Sequence, residues 1–157
     1  MSNKTRIVGI DFGLKRIGMS LSDETHLIAA PLKNVIAEKK SELTVTKVVA
    51  TIEQIKKDYN ATIEKVVVGM PLKLDGSTSF LTDEVKHFVE LLEKELPCPV
   101  IIWDERLTTV QAERALREAS MSRKKRMKVV DSICAVIILQ NYLDKLSIEK
   151  DRMLHEQ

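Results

Sequence analysis

Polar and apolar positions change period several times along the 157-residue chain, and each change marks an element boundary. Residues 6–12 (RIVGIDF), 17–22 (IGMSLS) and 27–32 (LIAAPL) are short, β-rich and joined by brief polar links. That pattern predicts three consecutive strands in antiparallel hairpins. From Thr44 the spacing becomes helical, with Val45, Val48, Val49, Ile52 and Ile55 on one side and lysines opposite. Residues 65–69 (KVVVG) do not alternate, which predicts a parallel-type strand buried on both faces. Asp75-Gly76 marks a turn, after which Leu81, Val85, Phe88, Val89, Leu92 and Leu96 form the stripe of a second helix.

Residues 100–103 (VIIW) predict another buried strand, followed at once by Asp104, Glu105 and Arg106. Thr108-x-x-Gln111 fits a capping box opening a third helix to about Ala119. Residues 129–146 are apolar around most of the circumference, which predicts a last helix packed on the sheet. The charged tail from about residue 149 is expected to fray. The order βββαβαβαα, with right-handed crossovers joining the later strands, predicts an α/β fold. Its five-stranded mixed sheet, antiparallel over the first three strands, is flanked by helices.

Length fits one domain over residues 1–157, with no internal repeat. A composition of 44% hydrophobic and 31% charged residues builds a core without a disulfide or zinc staple. Cys98 and Cys134 are expected to be buried thiols in a reducing compartment. No targeting segment is seen, and the apolar run 133–139 falls far short of the roughly 18 residues of a membrane span. A cytoplasmic protein with no membrane partner is therefore expected. Lys and Arg number 25 against 23 Asp and Glu, so net charge alone predicts no polyanion partner. Distribution changes that picture. Arg114, Arg117, Arg123, Lys124, Lys125, Arg126 and Lys128 fall in one stretch, read either as a solvated loop or as a clamp on a phosphate backbone. Aromatic residues make up 4%, too few for base stacking to dominate, and Trp103 is read as core.

Three acidic positions stand out. Asp11 interrupts an apolar strand between Gly9 and Gly13, where a carboxylate is costly without a partner. Either a neighbour such as Arg16 satisfies it, or the glycines admit a ligand to the backbone. Asp104 and Glu105 follow a strand end, where ligands collect in open α/β sheets, although solvated loop acids fit equally well. Asp131, at the start of the last helix, either complements the helix dipole or projects toward the sheet. Together they suit a hard cation such as Mg²⁺, which takes carboxylate and phosphate oxygens. The scattered His26, His87 and His155 argue against zinc and against nucleophilic triads.

GIDFGLKRIGMSLSD (9–23), VVGMPLKLDGS (67–77), WDERLTTVQAERAL (103–116) and VDSICAVIILQNYLD (130–144) resemble the YqgF/RuvX family of Holliday-junction-resolvase-like proteins. The resemblance implies a ribonuclease H-like fold with the first strand beside the later parallel ones. It implies that Asp11, Glu105 and Asp131 meet as a catalytic, metal-holding triad for Mg²⁺ or Mn²⁺, with Asp104 as an adjacent candidate. Lys15, Arg16 and Arg106 match basic positions around that site. Lys73 stands where the family pattern has Asn, a change in substrate contacts. The implied activity is a phosphodiester-cleaving nuclease maturing the 5′ end of pre-16S ribosomal RNA, with the pre-ribosome as partner. Two alternatives remain: a resolvase of four-way DNA junctions, and a non-catalytic RNA-binding assembly factor.

Overall fold

The computed structural model describes residues 4–70, 80–104 and 123–155, and for residues 123–132 the backbone only. Its strands are β1 (Thr5–Asp11), β2 (Arg16–Ser22), β3 (Ala29–Pro31), β4 (Val35–Ile36), β5 (Thr62–Met70) and β6 (Val100–Asp104). The helices are α1 (Ser41–Asp58), α2 (Phe80–Glu95) and α3 (Arg123–His155). The sheet runs β3-β2-β1-β5-β6, with β1, β5 and β6 parallel and β2 antiparallel to both β1 and β3. The mixed sheet is as expected except for a sixth strand. Val35 and Ile36 pair with Ile17 and Arg16, a two-residue ladder too short to show any alternation.

Strand alternation sorts the core onto two faces. Val8, Ile10, Ile17, Met19, Val66 and Val68 join the α1 and α2 stripes, including Val48, Ile52, Val85 and Phe88. Phe12 and Phe88 lean together with ring centroids 5.1 Å apart. Ile7 and Val67 point the other way, onto Ile138, Leu139, Tyr142 and Leu143 of α3. Helix α1 ends in a Schellman turn: Asn60, at φ 48°, donates to the Lys57 carbonyl and Ala61 to the Lys56 carbonyl. Asn tolerates that left-handed conformation, so the chain reverses directly into β5.

Two expectations about the last helix are corrected. It is already helical at Arg123 and continues to His155, so the charged tail is an exposed helical extension rather than a frayed end. Alternating charges within it, such as Lys145 and Glu149 at 3.8 Å, suit a solvated helix. The third helix expected near residues 108–119 lies outside the described residues.

Candidate metal centre and nucleic-acid surface

All three parallel strands end at one edge of the sheet, and Asp11 is the last residue of β1. Asp11 is half-buried and stands opposite Gly18 of β2. Ile10, Val68 and Ile102 form one rung across β1, β5 and β6. Asp11 and Trp103 each lie one position beyond that rung, two interstrand spacings or roughly 10 Å apart. By alternation Asp11 shares the face of Ile7 and Gly9, the face covered by α3. Trp103 packs with the same cluster. Asp104 has the opposite parity, that of Val100, which packs with the α1–α2 cluster.

Gly9 accounts for the close approach of α3. A Cβ there would fall 2.4 Å from Ser20 Oγ, 2.7 Å from Leu139 Cβ and 3.1 Å from the Ala135 carbonyl oxygen. Ser20 also donates its hydroxyl to that carbonyl at 2.7 Å, and this bond is buried. The glycine beside Asp11 therefore admits a helix, not a ligand. Further along α3, Gln140 accepts from the Ala29 N–H at 2.9 Å and donates to the Leu27 carbonyl at 2.8 Å. The helix thus meets Gly9 and Ser20 through Ala135, and through Gln140 the start of β3, which pairs with the far end of β2. It runs antiparallel to β1, with its N-terminal half directed toward the Asp11 edge.

That direction changes the reading of Asp131. It lies eight residues into the described helix, beyond the first turn in which an acid complements the dipole. It is one helical turn before Ala135, while Asp11 is two residues past Gly9, so both step the same way from one contact. Glu105 and Arg106 lie outside the described residues, as does Lys73. Among the described residues no group of three or more His, Cys, Asp or Glu forms a metal cluster.

Lys15 and Arg16 sit on the β1–β2 turn at the Asp11 edge, Lys15 exposed and Arg16 opening β2. Gly13 is required in that turn, since a Cβ would fall 2.5 Å from the Arg16 carbonyl oxygen. Arg123, Lys124, Lys125, Arg126 and Lys128 are on the backbone of α3 rather than in a loop. Its first described turn carries no acid, so the basic charge adds to the positive end of the helix dipole. A cavity of about 140 Å³ lined by Phe12, Gly13, Lys39, Thr44 and Glu84 opens on the α1–α2 side and does not include Asp11. Neither cysteine is in a disulfide, and burial raises the pKa of the half-buried Cys98 thiol above its ordinary value. That leaves it a poor nucleophile or metal ligand.

Sequence reasoning passed over Lys65 and Tyr142 and placed Trp103 in the core. Lys65 is on the α3 side of β5, where its ammonium donates to the Tyr142 hydroxyl at 2.9 Å. Tyr142 meets Trp103 edge to face, with centroids 5.6 Å apart.

The comparisons with known proteins agree with this architecture. A family model described as "RuvX: Holliday junction resolvase" matches residues 5–145. A protein of Protochlamydia amoebophila named "Putative pre-16S rRNA nuclease" is 56% identical over 147 residues, covering 92% of this chain and 98% of its own. A Bacillus subtilis protein of the same name is 39% identical over 143 residues, covering 90% and 99%. Among solved structures, T. thermophilus RuvC in complex with a Holliday junction substrate superposes with a TM-score of 0.52 at 16% identity. That match covers 88% of this chain and 93% of RuvC, and at such identity it speaks for the shared ribonuclease H-like fold alone. The chain belongs to the RuvX family.

Proposed function

We propose that this protein is a metal-dependent endonuclease that processes the 5′ end of pre-16S rRNA in the cytoplasm, acting on the pre-ribosome. The convergence of Asp11 and position 131 on one side of the Gly9–Ala135 contact carries this reading. The relatives' names supply the substrate. Among the described residues no helix is long and apolar enough to cross a membrane, which agrees with an aqueous site of action.

The donor chemistry fits a hard cation. Asp11 offers carboxylate oxygen at a strand end, and we assign Glu105 and Asp131 as the other two ligands. Trp103 has the parity of Asp11, whereas Asp104 belongs to the other face, so the choice of Glu105 over Asp104 rests on the family resemblance and on that parity. Carboxylate oxygens are the ligands Mg²⁺ and Mn²⁺ prefer. When bound, the cation supplies activation of water and stabilisation of the leaving oxygen at a phosphodiester. The chain's own residues do the rest. Lys15, Arg16 and Arg106 orient the scissile phosphate beside Asp11. The basic run Arg123–Lys128 holds the backbone further along, and we assign Lys73 to the same set of substrate contacts. Base identity has little part in such contacts, so structure and presentation by the ribosome select the site.

The test is cleavage of a pre-16S 5′-leader transcript in Mg²⁺ or Mn²⁺, beside a four-way DNA junction and with Asp11→Asn as control. Expected are cleavage of the leader, loss of at least about 10³-fold in rate for Asp11→Asn, and RNA affinity kept within a few-fold. Symmetric cutting of the junction with an intact leader would favour the resolvase instead. Salt-sensitive RNA binding with no cleavage in either metal would make this an assembly factor without catalysis.

A further inference from the structure

On the face of the sheet that Asp11 shares stands an aromatic and cationic cluster that a metal-centred reading leaves unused: the Trp103 backbone is level with Asp11, whereas Lys65 is level with Ile7, four residues back along β1. Trp103 is half-buried at the end of β6, its ring perpendicular to that of Tyr142. Lys145 places its ammonium 5.3 Å from the Trp103 ring centroid. Lys65 places its own 5.4 Å from the Tyr142 centroid while donating to the phenol hydroxyl. A lysine over an exposed ring contributes only about 0.5–1 kcal/mol, so the ring is left able to serve a stronger contact. Here both lysines approach from the edge of the cluster. The Lys145 side chain is 56% exposed and holds Glu149 only at 3.8 Å. A ring covered by one long, solvated side chain is open to exchange for a better stacking partner.

We propose that Trp103, covered by Lys145 and braced by Tyr142, is a stacking platform for one unpaired nucleobase in the strand whose phosphate lies at Asp11. The proposal rests on the nucleic-acid reading above and specifies the form of the substrate. Stacking needs a bare base face, which an unpaired nucleotide presents and a duplex, stacked on both sides, does not. The exposed Lys145 ammonium matches a phosphate next to that base. The roughly 10 Å between Asp11 and Trp103 puts the base beside, not at, the cleaved bond. Single-stranded RNA and single-stranded DNA share this chemistry, so the experiment separates them.

Trp103 is the single tryptophan of the chain, so its fluorescence reports the platform directly. The full-length Asp11→Asn protein, which does not cut, is titrated with four probes. They are a short oligouridylate, its deoxy counterpart, a blunt RNA duplex and inorganic polyphosphate, with binding followed independently by anisotropy or competition. Expected is quenching by the single strands and none by duplex or polyphosphate. Stronger quenching by the ribo strand assigns the platform to RNA, and equal quenching assigns it to the base alone. Trp103→Leu should weaken single-strand binding about tenfold and leave duplex binding unchanged, with Trp103→Phe recovering most of the loss. Single-strand binding with unaltered fluorescence, or undiminished in Trp103→Leu, overturns the platform while leaving the nuclease reading intact. Failure of every nucleic acid to bind overturns both. Because quenching is read on the native ring, the result does not depend on the variants folding.

Discussion

Asp23 organises the link between β2 and β3 by accepting from the backbone N–H groups of Thr25, Leu27 and Ile28 and from the Thr25 hydroxyl. Slight burial pushes its pKa up, but the bonds from Ile28, Thr25 and Leu27 outweigh that and hold it at about 2 against an ordinary 3.8. A depressed folded pKa stabilises above the unfolded value, and the contribution disappears as pH falls through about 2. Asp23→Ala should therefore cost about 1 kcal/mol at pH 7 by urea denaturation. The gap to wild type should be intact at pH 5, shrink below pH 4 and vanish near pH 2. Trp103 illustrates a different balance. Its exposed contact with Lys145 is worth about 0.5–1 kcal/mol, whereas a stacked base is worth about 1–3 kcal/mol, so a base displaces the lysine. Asp11 was legible as a candidate site residue because a charge inside an apolar strand demands an explanation. Trp103 was not, since an aromatic in a strand fits the core equally well and only its lysine neighbours distinguish the two.

At the scale of elements, the packing of α3 on β1 and β2 sets the backbones of Asp11 and position 131 on one side of a shared contact. Small side chains at Gly9 and Ser20 let the helix sink onto the sheet until a side-chain hydroxyl bonds its backbone. Gly9→Ala leaves the strand's own geometry allowed but drives a methyl into Leu139 Cβ and the Ala135 carbonyl. That overpacking should cost about 1–3 kcal/mol, lowering Tm by roughly 3–10 °C in calorimetry. Because the same contact separates Asp11 from position 131, cleavage should fall by more than the loss of folded protein accounts for. Circular dichroism at the assay temperature checks that comparison. Helical periodicity placed the apolar half of α3 well, while its start was misjudged. The basic run that opens it has no apolar stripe, so it resembled a loop, and Asp131 was left looking like a dipole partner.

For the molecule as a whole, a net charge of +2 conceals a polar arrangement of charge. Five positive residues lie within 123–128, at the end of α3 directed toward the Asp11 edge. Two further basic residues, Lys15 and Arg16, flank the same edge. Binding to single-stranded RNA should therefore fall steeply with salt. Replacing Lys124 and Lys125 together by Ala should reduce the slope of log K against log salt by roughly 1–2. The sequence dependence of binding and the quenching of Trp103 should stay as they are. Anisotropy titrations over a range of KCl concentrations measure this, and an unchanged slope would remove the run from the nucleic-acid path.

Sequence alone determined the described elements other than β4, their order, and the one residue whose chemistry conflicts with its surroundings. Periods of 2 and 3.6 are local properties, readable wherever an element has one buried face, as in the α1 stripe Val45, Val48, Ile52 and Ile55. It also displayed four motifs in family order, and the family match over residues 5–145 agrees with them. Tertiary structure decided what those motifs do to one another. The contact between Gly9 and Ala135 spans more than 120 positions, and the bond from Ser20 to Ala135 spans 115. No local pattern specifies such pairings. They arise because Gly9 and Ser20 leave room for the α3 backbone, and packing there sets the N-terminal backbone of the helix on the Asp11 side of that contact. The same docking sets Tyr142 and Lys145 against Trp103, a strand residue that packs on the core cluster as expected and that, in the proposal above, also offers its open part to a base.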